Sequence, residues 1–490
     1  MHTLWKKTVC GLLIQVLVGT QLALAASVVW PTPAPPRPVL QQVPPITPRP
    51  NFEAPSATHC QRGIETREVS DGLPRPVPFA MGPMLRKEMA PERATESDAL
   101  RAPHPAPLAA TPAAAAARSE SKAMDAPASP FFGAEPRMAP AQPAQQNTAP
   151  VTAGMVDDNA AFSEYLAFRK RTQVAHRERD VRDRYLLEVT DTQGRGLPDA
   201  EVAVQSANGA TTWLRTDAGG KGWIHPDAFD PGHSRFYDVT VRQGGMLTTA
   251  TLQRGQKSAV EVHLTQARQP APARLDLVFL VDATGSMGDE IDKLKSSLRS
   301  ITDEVSRLPS HPDLCLGLVA YRDRGDDFFV RSHDLTNDIN AFQGVLNALQ
   351  AGGGGDEPEA MNEALNEAVH HISWRGEQTT RLLVLVADAP PHLDYGGPQY
   401  DDDMMAALGK GIKIMSVGAS GLNKQGEYIQ RQMAQYTGGR FIFLTYADAS
   451  NPASGPGRET VHDVRNYSVQ TLDKLVVRLV REELDKLPRS

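Results

Sequence analysis

The chain has 490 residues but only three cysteines, Cys10, Cys60 and Cys315. They are too far apart in sequence to supply the paired thiolates of a zinc or iron–sulfur site, so a cysteine-based metal site is excluded. Cys315 lies in an apolar run typical of a buried strand, where cysteine acts as a small hydrophobic residue. Cys60 lies in a Pro-rich stretch, where it is free to pair between chains in an oxidising compartment. We therefore expect Cys60 and Cys315 not to pair with each other.

The sequence also lacks a basic excess and a second long apolar run. Its net charge of −7 is spread along the chain, without the basic stripe that binding to phosphate backbones requires. Beyond the first 26 residues, no apolar stretch is long enough to cross a bilayer. We predict no nucleic-acid partner and no membrane span in the mature chain.

Residues 1–26 have the pattern of a secretory signal peptide. Lys6 and Lys7 precede an apolar core, and Ala23-Leu-Ala25 matches a small-x-small cleavage site. A membrane anchor is the alternative, but polar residues interrupt the core and no basic residues follow it. We expect export to the periplasm, the cell surface or the medium.

Residues 27–156 are rich in Pro, Ala, Gln and Ser and poor in aromatic residues. Such a composition buries too little apolar surface to offset the conformational entropy of the chain. We predict a long disordered spacer, followed by a helix over residues 157–183 that packs on the next domain.

Residues 184–267 alternate apolar and polar positions, as in Tyr237, Val239 and Val241, and Gly-rich turns separate the runs. This pattern predicts an antiparallel β-sandwich. The stretch from Asp191 to Val202 is similar to transthyretin-like and carboxypeptidase-regulatory-like modules, and that resemblance implies a spacer or stabilising role.

The most informative stretch is residues 275–288. An apolar run ends in Asp282, and Thr284 and Ser286 follow at alternate positions before Gly288. The run is typical of a strand covered on both faces, and the residues after Gly288 have the period of a helix. In an open parallel sheet, a loop between a strand and a helix lies at the carboxyl ends of the strands, where ligands bind. Oxygen-bearing side chains grouped there favour a hard cation.

The alternation of apolar strands and amphipathic helices continues to the end of the chain. It predicts a doubly wound α/β domain with a mostly parallel sheet over residues 274–490. The predicted strands are 275–281, 314–321, 328–331, 381–387, 412–417 and 440–444; the predicted helices are 291–308, 338–349, 359–372, 401–408 and 425–436, with a closing helix around 469–480.

At Asp282, Thr284 and Ser286 the sequence resembles the von Willebrand factor A domain, whose metal-ion-dependent adhesion site begins Asp-x-Ser/Thr-x-Ser. The family's later aspartate matches Asp388, which closes the apolar run 382–387. With Ala387-Asp-Ala-Pro-Pro-His392, the chain looks most like the A domains of hemicentins and of some atypical kinases.

The family also supplies a threonine from a second loop, which this sequence lacks. The corresponding stretch is Gly352-Gly-Gly-Gly-Asp-Glu-Pro-Glu359. Asp356, or else Glu357, takes the place of the threonine; alternatively, Asp356 only caps a helix that starts near Pro358.

The resemblance implies a divalent cation completed by an acidic side chain from a protein partner. Magnesium suits hydroxyl, carboxylate and water oxygens best, and manganese and calcium remain alternatives. Asp289 and Glu290 stand where integrin β chains place ligands for a second ion. Acidic residues in a first helical turn are already favoured by the helix dipole, so we expect no second ion there.

Three functions follow in order of preference. The first is an exported, metal-dependent protein-binding module. The second is an envelope scaffold whose A domain is structural and needs no metal. The third is a metal-dependent hydrolase using water near His392, which we disfavour because no second catalytic feature is present.

Overall fold

The computed structural model describes residues 60, 63–73, 150–268, 271–355, 357–376 and 378–487. The predicted signal peptide and most of the predicted spacer lie outside these residues. Within them, no helix is both long and apolar enough to span a membrane.

The described residues form seventeen strands, numbered in chain order. They are β1 (Thr66–Val69), β2 (Thr152–Val156), β3 (Tyr185–Thr190), β4 (Glu201–Ser206), β5 (Thr211–Arg215), β6 (Lys221–Ile224), β7 (Phe236–Gln243), β8 (Met246–Gln253), β9 (Val260–His263), β10 (Arg274–Asp282), β11 (Asp313–Tyr321), β12 (Val330–Thr336), β13 (Thr379–Ala387), β14 (Ile412–Gly418), β15 (Phe441–Asp448), β16 (Asn451–Pro456) and β17 (Gln470–Thr471).

Seven α-helices accompany these strands in the described residues. They are α1 (Phe162–Arg171), α2 (Ile291–Ser306), α3 (Ile339–Ala348), α4 (Met361–His370), α5 (Tyr400–Lys410), α6 (Lys424–Tyr436) and α7 (Leu472–Leu484). Helices α2, α3 and α7 cover one face of the large sheet, and α4, α5 and α6 cover the other. The strands between them are buried on both faces, which is why they read as continuous apolar runs.

The large sheet has the doubly wound α/β arrangement that the sequence predicts. Its strand order is β1-β12-β11-β10-β13-β14-β15-β2-β17, with β16 paired to β15. The five strands from β11 to β15 in this order run parallel, while β1, β12, β2 and β17 pair antiparallel with their neighbours. The chain leaves β10 toward β11 on one side and later returns through β13 on the other. The carboxyl ends of β10 and β13 therefore flank the point where the strand order reverses.

Two strands of this sheet come from the predicted spacer, so the boundary at residue 156 is wrong. Strand β1 pairs with β12 at one edge, and β2 inserts between β15 and β17 near the other. Neither strand shows an alternation of apolar and polar residues in its own sequence. Each is held in the sheet by backbone pairing with strands that are distant in sequence.

Cys60 and Cys315 form a disulfide with their Cα atoms 6.1 Å apart, so the expectation that they do not pair is wrong. The backbone carbonyl of Cys60 also accepts a hydrogen bond from the Asn337 N–H, at 3.0 Å. Cys60 is thus tied to β11 through Cys315 and to the residue that follows β12.

The predicted helix over 157–183 is much shorter in the structure, because α1 ends at Arg171. The charged residues after it form neither a helix nor a strand. Arg177 and Arg179 both pair with the buried Asp401 at the start of α5. Ion pairs with α5, which local sequence does not reveal, hold this segment in place of helical hydrogen bonds.

Strands β3 to β9 form the predicted sandwich, with sheets β6-β3-β9 and β5-β4-β7-β8. The pairing is antiparallel throughout except between β3 and β9, which run parallel. Asp199 of the sandwich pairs with the buried Arg381 of β13 at 2.9 Å. This buried pair joins the sandwich to the α/β domain.

Candidate metal centre

The predicted first ligand, Asp282, is the last residue of β10 and is fully buried. Its Oδ1 accepts hydrogen bonds from the Thr284 N–H at 3.0 Å and from the Thr284 hydroxyl at 2.7 Å. Its Oδ2 has no hydrogen-bond partner in the described part of the chain. Since the Thr284 hydroxyl donates to Asp282, the lone pairs of its oxygen are left to face a cation.

The Thr284 and Ser286 hydroxyl oxygens lie 3.0 Å apart, on a loop that continues into a short 3-10 turn at Gly285–Asp289. Met287 is buried beneath this turn and anchors it to the core. Ser286 itself is exposed and lines an open cavity of about 550 Å³ at the carboxyl edge of the sheet. The loop thus presents the Ser286 hydroxyl to solvent, while the Thr284 hydroxyl is buried behind it.

Asp388 directly follows β13 and lines the same cavity. It is buried, and its Oδ1 has no hydrogen-bond partner among the residues described. Burial, together with the charge of Asp282, raises the pKa of Asp388 to about 7, although a hydrogen bond from Ser286 acts in the opposite direction. The pKa of Asp282 is raised to about 6, again chiefly by burial. Two buried carboxyl groups therefore lie close enough to disfavour each other's charge.

The glycine-rich second loop is joined to the first by its backbone. The Gly285 N–H donates to Gly353 O at 3.0 Å, and the Gly352 N–H donates to Ala283 O at 3.0 Å. Gly353 has φ +72°, and a side chain there would overlap the carboxyl group of Asp326. This close approach requires glycine and explains part of the run.

Asp356 and Glu357 are the two residues predicted to take the place of the family's threonine. Asp356 lies outside the described residues, so its role as a ligand stays a prediction. Glu357 lines the outer part of the cavity, and its Oε1 accepts a hydrogen bond from Asn423 at 2.8 Å. Helix α4 begins only at Met361 with Ala360 as its N-cap, so the helix predicted to start near Pro358 starts later.

Asp289 and Glu290 are the two residues weighed as ligands of a second ion. The side chain of Asp289 lies outside the described part, and the carboxylate of Glu290 is engaged in hydrogen bonds within the fold. Glu290 is buried and accepts hydrogen bonds from the Ser420 N–H, at 3.2 Å, and from the Tyr446 hydroxyl. It ties the start of α2 to the loop after β14 and to β15.

His392 is buried and engaged beside the site. Its ring stacks on Tyr395 with centroids 3.6 Å apart, and its Nδ1 hydrogen-bonds Asp394 at 2.9 Å. No contact between its imidazole and Asp282, Thr284, Ser286 or Asp388 is found within the described ranges. These contacts support the role of a positioned loop residue.

Sequence reasoning missed Glu359, which was assigned to the start of a helix. It precedes α4, is buried, and lines the cavity with Ser286 and Asp388. Its position directly after the acidic glycine loop could have indicated a place at the site. The structure packs this part of the chain against the loop after β13.

The centre combines two carboxyl groups with two hydroxyls. No group of three or more His, Cys, Asp and Glu side chains arranged for metal binding occurs in the parts of the chain that are described. The donors present nevertheless fit a hard cation, because all are oxygens and the unpartnered ones, Asp282 Oδ2 and Asp388 Oδ1, belong to residues grouped around one loop.

This is a doubly wound α/β domain that presents a loop of oxygen-bearing side chains where its strand order reverses. Domains of this class bind ligands at that point. Residues 276–393, which span the loops of the candidate centre, match the family model of the von Willebrand factor A domain. The chain therefore carries a von Willebrand factor A domain.

Several curated proteins are similar over this region. The alpha-protein kinase vwkA of Dictyostelium discoideum is 30% identical over 142 residues, covering 28% of this chain and 22% of the kinase. The human von Willebrand factor A domain-containing protein 7 is 30% identical over 155 residues, covering 31% and 17%. Human integrin beta-6 is 24% identical over 246 residues, covering 44% and 29%. Each alignment thus spans less than a third of the relative's length.

Two solved structures also align with the chain. Proximal thread matrix protein 1 from the mussel byssus aligns at 14% identity with a TM-score of 0.25, covering 34% of this chain and 46% of its own. The pilus adhesin SpaC from Lactobacillus rhamnosus GG aligns at 16% identity with a TM-score of 0.26, covering 41% and 29%.

Proposed function

We propose that the protein is an exported, metal-dependent binding module for another protein. Magnesium is held by Asp282, Thr284, Ser286 and Asp388, with Asp356 as the predicted ligand from the second loop. An acidic side chain of the partner completes the coordination of the cation. The A domain, shared with integrin beta-6 and with other A-domain proteins, supports a protein-interaction role.

The observation that carries this proposal is the unpaired negative charge at the carboxyl edge of the sheet. Asp282 and Asp388 are buried, each has an unpartnered carboxylate oxygen, and two hydroxyls stand beside them. A bound divalent cation supplies the positive charge that these oxygens lack. Magnesium prefers six oxygen ligands at roughly 2.0–2.1 Å and keeps several waters, which leaves a position for a partner's oxygen.

Calorimetric titration with MgCl2 tests the metal site directly. We expect the wild-type chain to bind one ion and Asp282→Ala to bind none, while both have the same circular dichroism spectrum. The fold should survive because the loop lies on the rim of a sheet held by apolar strands. Asp485→Ala is the matched control, since it removes an exposed carboxylate at the end of α7.

Capture of partners from envelope extract, in magnesium or in EDTA, tests the binding role. We expect wild type to retain a protein in magnesium that it loses in EDTA, and Asp282→Ala to retain it in neither. Equal magnesium affinity in wild type and Asp282→Ala would refute the metal site. Capture that is indifferent to EDTA would favour the envelope scaffold instead.

A further inference from the structure

Strand β8 lies at one end of the four-stranded sheet of the sandwich, where it pairs with β7 alone. Its eight residues, Met246-Leu-Thr-Thr-Ala-Thr-Leu-Gln253, include neither a charge nor a proline. Proteins usually protect an exposed edge strand with charges, proline or a bulge. The register of β8 with β7 is continuous, so β8 has none of these protections.

The other sheet edges in the described residues are short, charged or covered. Strands β6 and β9 have four residues each, with Lys221 and Glu261 among them. Strand β1 contains Arg67 and Glu68, β17 has only two residues, and β16 contains two prolines. Strand β5 is covered by α5. Among the edges described, β8 is therefore the one best suited to pair with a further strand.

The backbone groups of β8 point alternately toward β7 and away from it. The Gln253 N–H donates to the side chain of Gln256 at 2.9 Å, and the Gln253 carbonyl accepts from the Gln256 N–H at 3.1 Å. The backbone of Gln253 thus faces away from β7, and by alternation so do the backbone groups of Leu247 and Thr249. No second strand of the described chain meets β8 on that side.

Exposed apolar side chains lie along the same edge. Met246 is 36% exposed and Leu247 is 48% exposed, and they are two of the four large hydrophobic residues that are exposed in the described part of the chain. Thr249 is also exposed, whereas Thr248 and Ala250 are half-buried. The first half of β8 therefore combines outward backbone groups with apolar surface.

We propose that two copies of this chain associate through their β8 strands, which pair antiparallel about a two-fold axis at Thr248. In this register Leu247 of each copy lies opposite Thr249 of the other, and their outward N–H and C=O groups exchange hydrogen bonds. The two Leu247 side chains become diagonal neighbours on one face of the joined sheet, within reach of each other. The two-fold pairing uses each edge once, so assembly stops at the dimer.

Two features of β8 favour a second copy as the occupant. A strand without charges meets its own sequence without like charges in opposition, which would destabilise the pair. The two-fold register also covers the exposed Leu247 of both copies at once. This association is independent of the proposed metal centre, which lies in the other domain.

Sedimentation velocity of the full chain over a range of concentrations tests the dimer, comparing wild type, Leu247→Lys and Leu73→Lys. Leu73 is the matched control, because it is 49% exposed and lies outside the sandwich. We expect wild type to dimerise and Leu247→Lys to weaken the dimer at least about tenfold, since the substitution removes apolar contact and brings two charges together. Leu73→Lys should change the dissociation constant less than about twofold.

Oxidative cross-linking tests the register. Thr248→Cys places two Cα atoms about 4.5 Å apart across the axis, within the range that a disulfide spans. Gln253→Cys is the control, because it lies on the same strand beyond the paired stretch. We expect disulfide-linked dimers of Thr248→Cys to form at least about tenfold faster than those of Gln253→Cys.

Circular dichroism establishes that each variant is folded. A wild type that stays monomeric at every concentration would overturn the proposal and leave β8 to a strand of another protein. Equal dissociation constants for Leu247→Lys and Leu73→Lys, or equal cross-linking of the two cysteine variants, would overturn it as well.

Discussion

The two ends of the central strand β10 carry buried aspartates in opposite circumstances. At the amino end, Asp276 is fully buried and bound by Arg375, whose N–H and Nε donate to its two oxygens at 2.7 and 2.6 Å. At the carboxyl end, Asp282 is equally buried, and no arginine or lysine pairs with it in the described residues. The first aspartate has its counter-charge within the fold, and the second has none among the residues that the structure describes.

The same contrast extends to the neighbouring strand. Arg381 near the start of β13 pairs with Asp199 of the sandwich, whereas Asp388 after its end has an oxygen without a partner in the described part of the chain. The paired edge fastens the sandwich to the α/β domain, while the carboxyl edge holds the buried carboxyl groups at which we propose that a cation binds.

The largest expected effect is at the paired edge. Arg375→Met should lower the free energy of unfolding by about 3–5 kcal/mol, because it leaves Asp276 buried without its partner. Arg375 also pairs with Asp313 and donates to Leu275 O, so several buried acceptors lose their donor together. Urea denaturation followed by circular dichroism measures the change.

Arg331→Ala is the control for this variant. It breaks an ion pair with Glu68 in which both side chains are more than a third exposed, and pairs of this kind contribute at most about 1 kcal/mol. If the two variants lost equal stability, the distinction between buried and surface pairs in this protein would fail.

A smaller effect on stability is expected from His225, a buried side chain that is neutral and has no ion-pair partner among the described residues. His225, at the seam between the domains, is buried and its ring stacks on Tyr436 of α6 at 5.3 Å. Burial, with a contribution from Arg184, lowers the pKa of His225 to about 3. The folded state thus binds fewer protons than the unfolded state, so stability is lost as pH falls below the unfolded value of about 6.5.

From this shift, His225 alone should cost the wild type about 2 kcal/mol between pH 7 and pH 5. His225→Phe keeps an aromatic ring against Tyr436 and should remove that part of the acid sensitivity. Urea denaturation at both pH values compares the two proteins. An unchanged pH dependence in the variant would show that other groups account for the loss.

The smallest effect has the opposite sign and belongs to the carboxyl edge. In EDTA, Asp388→Asn should raise the free energy of unfolding by about 1–2 kcal/mol at neutral pH, because it removes one of two neighbouring buried charges. In magnesium the wild type should regain the difference, since only it binds the ion tightly. A destabilised variant in EDTA would mean that Asp388 already has its counter-charge within the fold.

The sequence predicted the central domain well because its signals are local. The strands β10, β13 and β14 are apolar runs, and α2 and α6 have helical periodicity, so their positions differ from the predicted ones by only a few residues. The loop after β10 could be placed at the carboxyl edge from strand and helix order alone. Topology then brings Asp388 to it, as the doubly wound arrangement requires.

The positions of β1 and Glu359 could not be predicted from the sequence, because residues distant in the chain determine them. The four residues of β1 have no apolar period, and β12, the Cys60–Cys315 disulfide and the ion pair of Arg67 with Glu367 of α4 fix them. Glu359 reads locally as the first residue of a helix, and its place at the centre follows from hydrogen bonds to the loop after β13. These features come from long-range pairing, which a linear pattern does not encode.

The insertion of β2 into the far edge of the sheet has a consequence for synthesis. Thr152 hydrogen-bonds Thr445, 293 positions later in the chain, so β2 leaves the ribosome long before β15 or β17 exists. The sandwich, whose strands pair among themselves, can form meanwhile, but this side of the sheet closes only after β15 and β17 have been synthesised. A fragment starting at residue 274 would leave the β2 side of β15 unpaired, and an unpaired edge of this kind promotes association between chains.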